Sequence, residues 1–336
     1  MLLCTDGRCD SYRKGAGPAY DVRMVRRARS KHLLPWTDGK PNPFDHGAGW
    51  NAPYLGEWQN TSVVMRADEQ DLATHPRSPL PPGSEAKPVM DYYGMTPWFV
   101  DQGDGFGLYY MATMRYWHWG PGNADVLGGD IPDQPGTKDI ALAVSRDGES
   151  FEFLDGRKPW LRPGRDGTVG SRTIWLASPG PVRVGDEELY FIARTNVAEG
   201  PTIALDPQAQ HGWEGEMGVG RLRLNGLMSL DAPYLSDAVL TTKDFVFAGR
   251  RLLLNVNAAG GGSLVVEVHR ADAPPGAPAL LTSVPLTRNG VELEALWGAT
   301  PTRAGNATAV GRLAGQPVRL VMRMRDCELY SFRFAQ

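Results

Sequence analysis

The residues best suited to chemistry in this chain are carboxyl, cationic and aromatic side chains set beside short apolar runs. Asp91 stands just ahead of Tyr92 and Tyr93 at the start of a strand-like segment, where poor solvation would raise its pKa toward use as a proton donor. Arg115-Tyr-Trp117-His118-Trp119 follows the next apolar run and joins flat rings to cations, a combination able to stack on sugar rings and donate to their hydroxyls. Arg172 and Trp175 open a further strand-like stretch. Arg194-Thr-Asn196 closes another, and the long loop after it ends in His211-Gly-Trp-Glu214-Gly-Glu216. Carboxyls placed among such side chains could act as a proton donor and as a nucleophile or base toward a bound ligand. Asp91 and Glu216 are the expected catalytic pair, with Glu214 as the other choice for the second carboxyl. Tyr92, Arg115, Trp117, His118, Arg172, Trp175 and Arg194 are the expected substrate-binding residues. Asp139 begins a strand farther from this set and reads as structural. The plainer reading makes Asp91 a turn cap, Trp117 and Trp119 packing residues, and the glutamates solvated loop residues.

These residues need strands to position them. The 40 glycines and 27 prolines are spread along all 336 residues, so no long window carries an uninterrupted helical stripe. Hairpins recur instead. Thr96-Pro-Trp-Phe-Val100 turns through 101–104 into Phe106-Gly-Leu-Tyr-Tyr-Met111, and Gly180-Pro-Val-Arg-Val184 turns through Gly185 and Asp186 into Glu188-Leu-Tyr-Phe-Ile192. Each is followed by a long polar loop and a third strand, Ile140-Ala-Leu-Ala-Val144 in one case and Val219-Gly-Arg-Leu-Arg-Leu224 in the other. Three antiparallel strands with an outer fourth make a propeller blade. Ser145-Arg-Asp147-Gly148-Glu-Ser-Phe151 has the layout of a turn whose Ser and Asp side chains bond backbone amides, and residues 27–37 repeat it with His32 in place of the aspartate. After about Asp231 shorter alternating strands take over, among them Leu252-Leu-Leu-Asn-Val256 and Val318-Arg-Leu-Val-Met322. The expected organisation is an all-β chain, with β-propeller blades over residues 1–232 and a β-sandwich over 233–336.

Composition narrows the function classes. A formal net charge of −3 with 42% hydrophobic and 22% charged residues fits neither a disordered chain nor a polyanion-binding surface, so nucleic acid is not an expected partner. Three cysteines without C-x-x-C spacing and six histidines without an H-E-x-x-H arrangement give no disulfide framework and no zinc motif. No run reaches membrane-spanning length, and the sequence as it begins reads as cytoplasmic. Residues 1–45 read as the tail of a structural unit, an expectation under which the compartment stays open. The oligomeric state is open too.

Taken in order, Asp91-Tyr-Tyr-Gly-Met95, Ile140-Ala-Leu-Ala-Val-Ser-Arg-Asp-Gly148, Gly164-Arg-Asp-Gly-Thr168 with Ser171-Arg172, Val184-Gly-Asp-Glu187 and Leu329-Tyr-Ser-Phe332 resemble the invertase, levansucrase and arabinanase superfamily of five-bladed glycoside hydrolases. The closer likeness is to bacterial members in which the propeller leads into a C-terminal sandwich. The resemblance covers most of residues 20–334 and implies a five-bladed propeller, complete or lacking early blades, that degrades a poly- or oligosaccharide through carboxylates in its axial pocket. No cofactor is implied beyond the calcium that some such channels hold. Two departures favour a non-catalytic carbohydrate-binding protein instead: Gly170 stands where relatives often carry an acid, and the earlier blades are short or missing.

Overall fold

The computed structural model describes residues 2–4, 25–28, 63–65, 67–72, 89–103, 106–118, 136–197, 212, 214–274, 276–298 and 305–336. Within them strands dominate. Among the described residues, helix amounts to one α-turn, α1 (Glu69–Leu72), and short 3-10 segments, and none is long and apolar enough to cross a membrane. The chain divides into two compact units, one of Met1–Pro181 with Tyr190–Gly220, the other of Val182–Leu189 with Arg221–Gln336.

The first unit opens with a small antiparallel sheet of β1 (Leu2–Cys4), β2 (Val25–Ala28) and β3 (Val63–Met65). Its larger sheet begins with a long hairpin, β4 (Val89–Gly103) and β5 (Phe106–His118), and continues antiparallel into β6 (Gly136–Ser145). The short strands β7 (Glu152–Phe153) and β8 (Pro159–Leu161) pair with β6 on its far side. A second meander starts at β9 (Thr173–Leu176). β10 (Val182–Val184) pairs with the start of β11 (Glu187–Thr195) and β9 with its end, and β12 (Gly215–Arg223) also pairs with β11. The turn-forming sequences predicted as hairpins therefore do connect paired strands, and each hairpin has a third strand beside it.

Apolar residues on one side of the first meander build the core of this unit: Met65, Ala67, Met90, Tyr92, Met111, Trp117 and Ala143, with Phe151 and Phe153 packed against them. Phe151 is delivered by the turn after β6. There the Ser145 hydroxyl accepts from the amide of Gly148 at 2.9 Å, and Asp147 Oδ1 accepts from the amides of Glu149 and Ser150 at 2.7 and 2.8 Å. These bonds hold the Asp147 carboxyl down at about 2. The predicted Ser–Asp turn is thus a structural device that fixes the bend after β6.

The second unit holds two four-stranded antiparallel sheets. One runs β13 (Leu230–Ala232), β20 (Cys327–Ala335), β15 (Arg251–Asn257), β18 (Asn289–Glu294). The other runs β14 (Ala238–Thr241), β19 (Val318–Arg325), β16 (Ser263–Arg270), β17 (Leu281–Thr282). Period-two alternation puts Leu252, Leu254 and Val256 of β15 into one core with Leu264, Val266 and Val268 of β16 and Val318, Leu320 and Met322 of β19. Facing residues match across the ladder, Leu264 with Met324, Val266 with Met322 and Val268 with Leu320. Gly249, at φ +120°, lets the chain pass against Ala335, whose carbonyl oxygen would lie 2.8 Å from any Cβ there.

Candidate functional site

The start of β4, the end of β5, the start of β6, the start of β9 and the end of β11 all fall at one end of the larger sheet, because β4, β5 and β6 run antiparallel in turn, β9 pairs parallel with β6, and β11 antiparallel with β9. Register fixes two cross-strand rows there. In the first, Tyr92 stands opposite Arg115 and Arg115 opposite Asp139. In the second, Asp91 stands opposite Tyr116, Tyr116 opposite Lys138 and Lys138 opposite Thr173. Successive rows alternate between the two faces of a sheet, so these two differ in environment.

The first row is interior. Arg115 and Asp139 are buried and form a forked ion pair, Nε to Oδ1 at 2.6 Å and Nη2 to Oδ2 at 3.0 Å. The indole N–H of Trp117, itself fully buried, donates to Asp139 Oδ2 at 3.1 Å. Burial pushes the Asp139 carboxyl up, against the pull of Arg115 and the Trp117 N–H. Arg115 Nη1 also donates to the carbonyl of Arg157 at 2.9 Å. Asp155, Gly156 and Arg157 are three consecutive residues with left-handed φ, and the bend they make turns the Arg157 side chain onto α1. Its guanidinium reaches Asp68 Oδ1 at 2.6 Å and Asp71 Oδ2 at 2.8 Å and lies over the Phe153 ring. Tyr92 donates its hydroxyl to Asp71 Oδ1 at 2.9 Å. Burial raises Asp71 and raises Tyr92 well above the usual phenol value.

This corrects part of the sequence expectation. Tyr92, Arg115 and Trp117 are not a wall open to substrate, since their side chains are enclosed in the unit's core and bonded to carboxylates within it. Asp139, expected to be structural, is the acceptor that ties them together. Asp71 and Arg157 went unnoticed in the sequence; a lone Glu-Gln-Asp-Leu turn and an Asp-Gly-Arg bend give no signal that they meet across more than eighty residues.

The second row is the candidate site. Lys138 is only 3% exposed, and its ammonium sits over the rings of Tyr93 at 4.0 Å and Tyr116 at 4.9 Å, with Trp175 at 6.0 Å. Tyr93 meets Tyr116 edge-on, and both Tyr93 and Trp175 keep partial access to solvent. Asp91 occupies the β4 end of the row; its side chain, like that of His118 at the last position of β5, lies outside the described residues. Behind Lys138, its amide donates to the carbonyl of Arg172, and the buried Arg172 donates Nη1 to Asp166 Oδ1 at 2.5 Å. Farther along, Arg194 of β11 is ion-paired with Glu216 of β12, both partly exposed.

Gly170 has a role beside these pairs. At φ +88° it takes a left-handed turn, and a Cβ there would lie 2.8 Å from Arg194 Cβ and Cδ. A side chain at this position would sit on strained backbone and crowd Arg194. Among the described residues no group of three or more His, Cys, Asp or Glu is placed to hold a metal ion. Comparison with family models, curated proteins and solved structures returns no match to this chain.

Proposed function

We propose that the end of the sheet carrying Asp91, Tyr93, Tyr116, Lys138 and Trp175 takes up carbohydrate, and that the chain is a glycoside hydrolase built on propeller blades of the five-bladed kind. The row from Asp91 through Tyr116 to Lys138, flanked by the partly open rings of Tyr93 and Trp175, carries this reading. It puts a carboxyl position, a cation and stacking surfaces at one end of the sheet, the combination that sugar recognition and glycosidic cleavage use. The two successive meanders, each a hairpin with a third strand, support the blade reading. Arg194, partly exposed near the end of β11, stands beside the row as a further donor to sugar hydroxyls.

A second reading, a carbohydrate-binding protein without hydrolysis, is favoured by one observation: Glu216, the expected second carboxyl, is engaged by Arg194. Incubating the protein with arabino-, fructo-, xylo- and galacto-oligosaccharides, with binding and cleavage followed separately, decides between the two. Cleavage supports the hydrolase, binding alone supports the second reading, and neither outcome removes both.

A further inference from the structure

We propose that this chain pairs with a second copy of itself through the edge of the second unit that carries β13 and β14, with β14 running antiparallel to its own twin. The inference concerns the second unit and does not depend on the sugar reading of the first. Among the described residues β13 and β14 are the outermost strands of their sheets, and residues 233–237 join them across one side of the unit. Leu230 of β13, Tyr234 and Leu235 of the connection, Val239 of β14 and Val246 just beyond it are all more than half exposed, Leu235 at 86%. Apolar side chains gathered in this way mark a surface that another protein covers, and an open strand among them is a template for a further strand.

Register says which strand fits. Ala238 and Leu240 pack on the core, so Val239 and Thr241 face outward. Thr242 donates its amide to the carbonyl of Leu320 at 3.0 Å, and the same ladder sets Leu240 opposite Met322 and Ala238 opposite Met324. Bonded positions alternate along an antiparallel pair, so the amides and carbonyls of Val239 and Thr241 point away from β19, to the open side. A two-fold axis at Leu240 lets these groups bond one another, Val239 of one copy with Thr241 of the other. The same axis sets Asp237 opposite Lys243 of the second copy and brings Tyr234 toward Val246, acid to base and apolar to apolar. Asp237 and Lys243 are both exposed, Asp237 with Arg325 of its own chain 3.8 Å away. An axis at Val239 or at Thr241 also joins open positions, but it leaves Asp237 facing Thr241 or Phe245. Charge thus selects one register, and with it the partner: Lys243 on an open edge deters other strands, and Asp237 of the twin answers it. The apolar side chains and the strand between them offer on the order of 600 Å² per copy, at the lower end of what specific interfaces bury, as suits a reversible dimer.

The test is sedimentation velocity of the full chain over a wide range of concentration, with circular dichroism to show that each variant folds. Wild type is expected to pass from monomer to dimer across the range. Val239→Lys, a change at an exposed position, should abolish the dimer by setting a charge on the open edge. Asp237→Lys should raise the dimer dissociation constant at least about tenfold, because a two-fold interface then faces Lys243 with a like charge at both of its ends. Lys243→Asp should do the same, while Asp237→Lys combined with Lys243→Asp should return the constant to within about threefold of wild type. A wild type that stays monomeric or forms only larger assemblies, a dimer indifferent to Val239→Lys, or a combined variant no tighter than the single ones overturns the proposal. Should Val239→Lys not fold, the charge exchange alone decides.

Discussion

At the scale of single residues, Asp91 and Asp139 fall in adjacent cross-strand rows that the pleat directs to opposite faces of the sheet. Asp139 is a structural anchor whose worth lies in having every partner in place. Removing one partner of a buried, forked ion pair leaves an uncompensated charge, so Arg115→Met should lower unfolding free energy by about 3–5 kcal/mol. Arg115→Met with Asp139→Leu should recover most of that loss, since the pair's gain over an apolar replacement is small. Denaturant midpoints measure both; a single variant as stable as wild type contradicts the anchor role. Sequence reasoning placed Asp91 at the opening of a strand that in fact begins two residues earlier at Val89, and it misread Tyr92, Arg115 and Trp117. A run such as Arg-Tyr-Trp-His-Trp shows alternation without showing what covers either face, and here Arg115, Tyr116 and Trp117 are all buried. Lys138 was passed over because a lysine at a strand start ordinarily reads as solvated.

At the scale of elements, turns and strands were the most legible features, because their chemistry is local. The Ser145–Asp147 turn was readable from seven residues, and it has a consequence for pH. The folded Asp147 carboxyl titrates at about 2, against 3.8 ordinarily, so between these values the unfolded chain binds more protons. The turn's contribution to stability is therefore complete above about pH 4 and is lost as pH falls toward 2. Asp147→Asn keeps an acceptor for the turn amides but no ionisable group, and its stability should lack this component of the acid dependence. Unfolding midpoints of both proteins from pH 2 to 6 test it; parallel curves would assign the acid dependence elsewhere. What could not be read locally was the meeting of α1, the 155–157 bend and β4, which depends on contacts between distant segments.

At the scale of the whole molecule, the glycine and proline spacing correctly forecast a chain dominated by strands, and far-ultraviolet circular dichroism should show β structure with little helix. A helical content above about a third would contradict it. The alternation in 252–256 and 318–322 forecast the inward rows of the second unit, since one residue of slip would have turned every one of those side chains to solvent. The division of the chain was less legible. Val182–Leu189 groups with the second unit although the first unit resumes at Tyr190, an exchange that no composition shift announces. The proposed function is placed at one end of one sheet, and the hydrolase reading depends on Asp91 most directly. The decisive measurement is cleavage in the oligosaccharide screen by wild type and Asp91→Asn side by side. The account predicts that one oligosaccharide class is cleaved, and that Asp91→Asn lowers turnover by at least about a hundredfold while binding and the circular dichroism spectrum are kept. Cleavage that is indifferent to Asp91→Asn, or a wild type that neither binds nor cleaves any of these sugars, would contradict it.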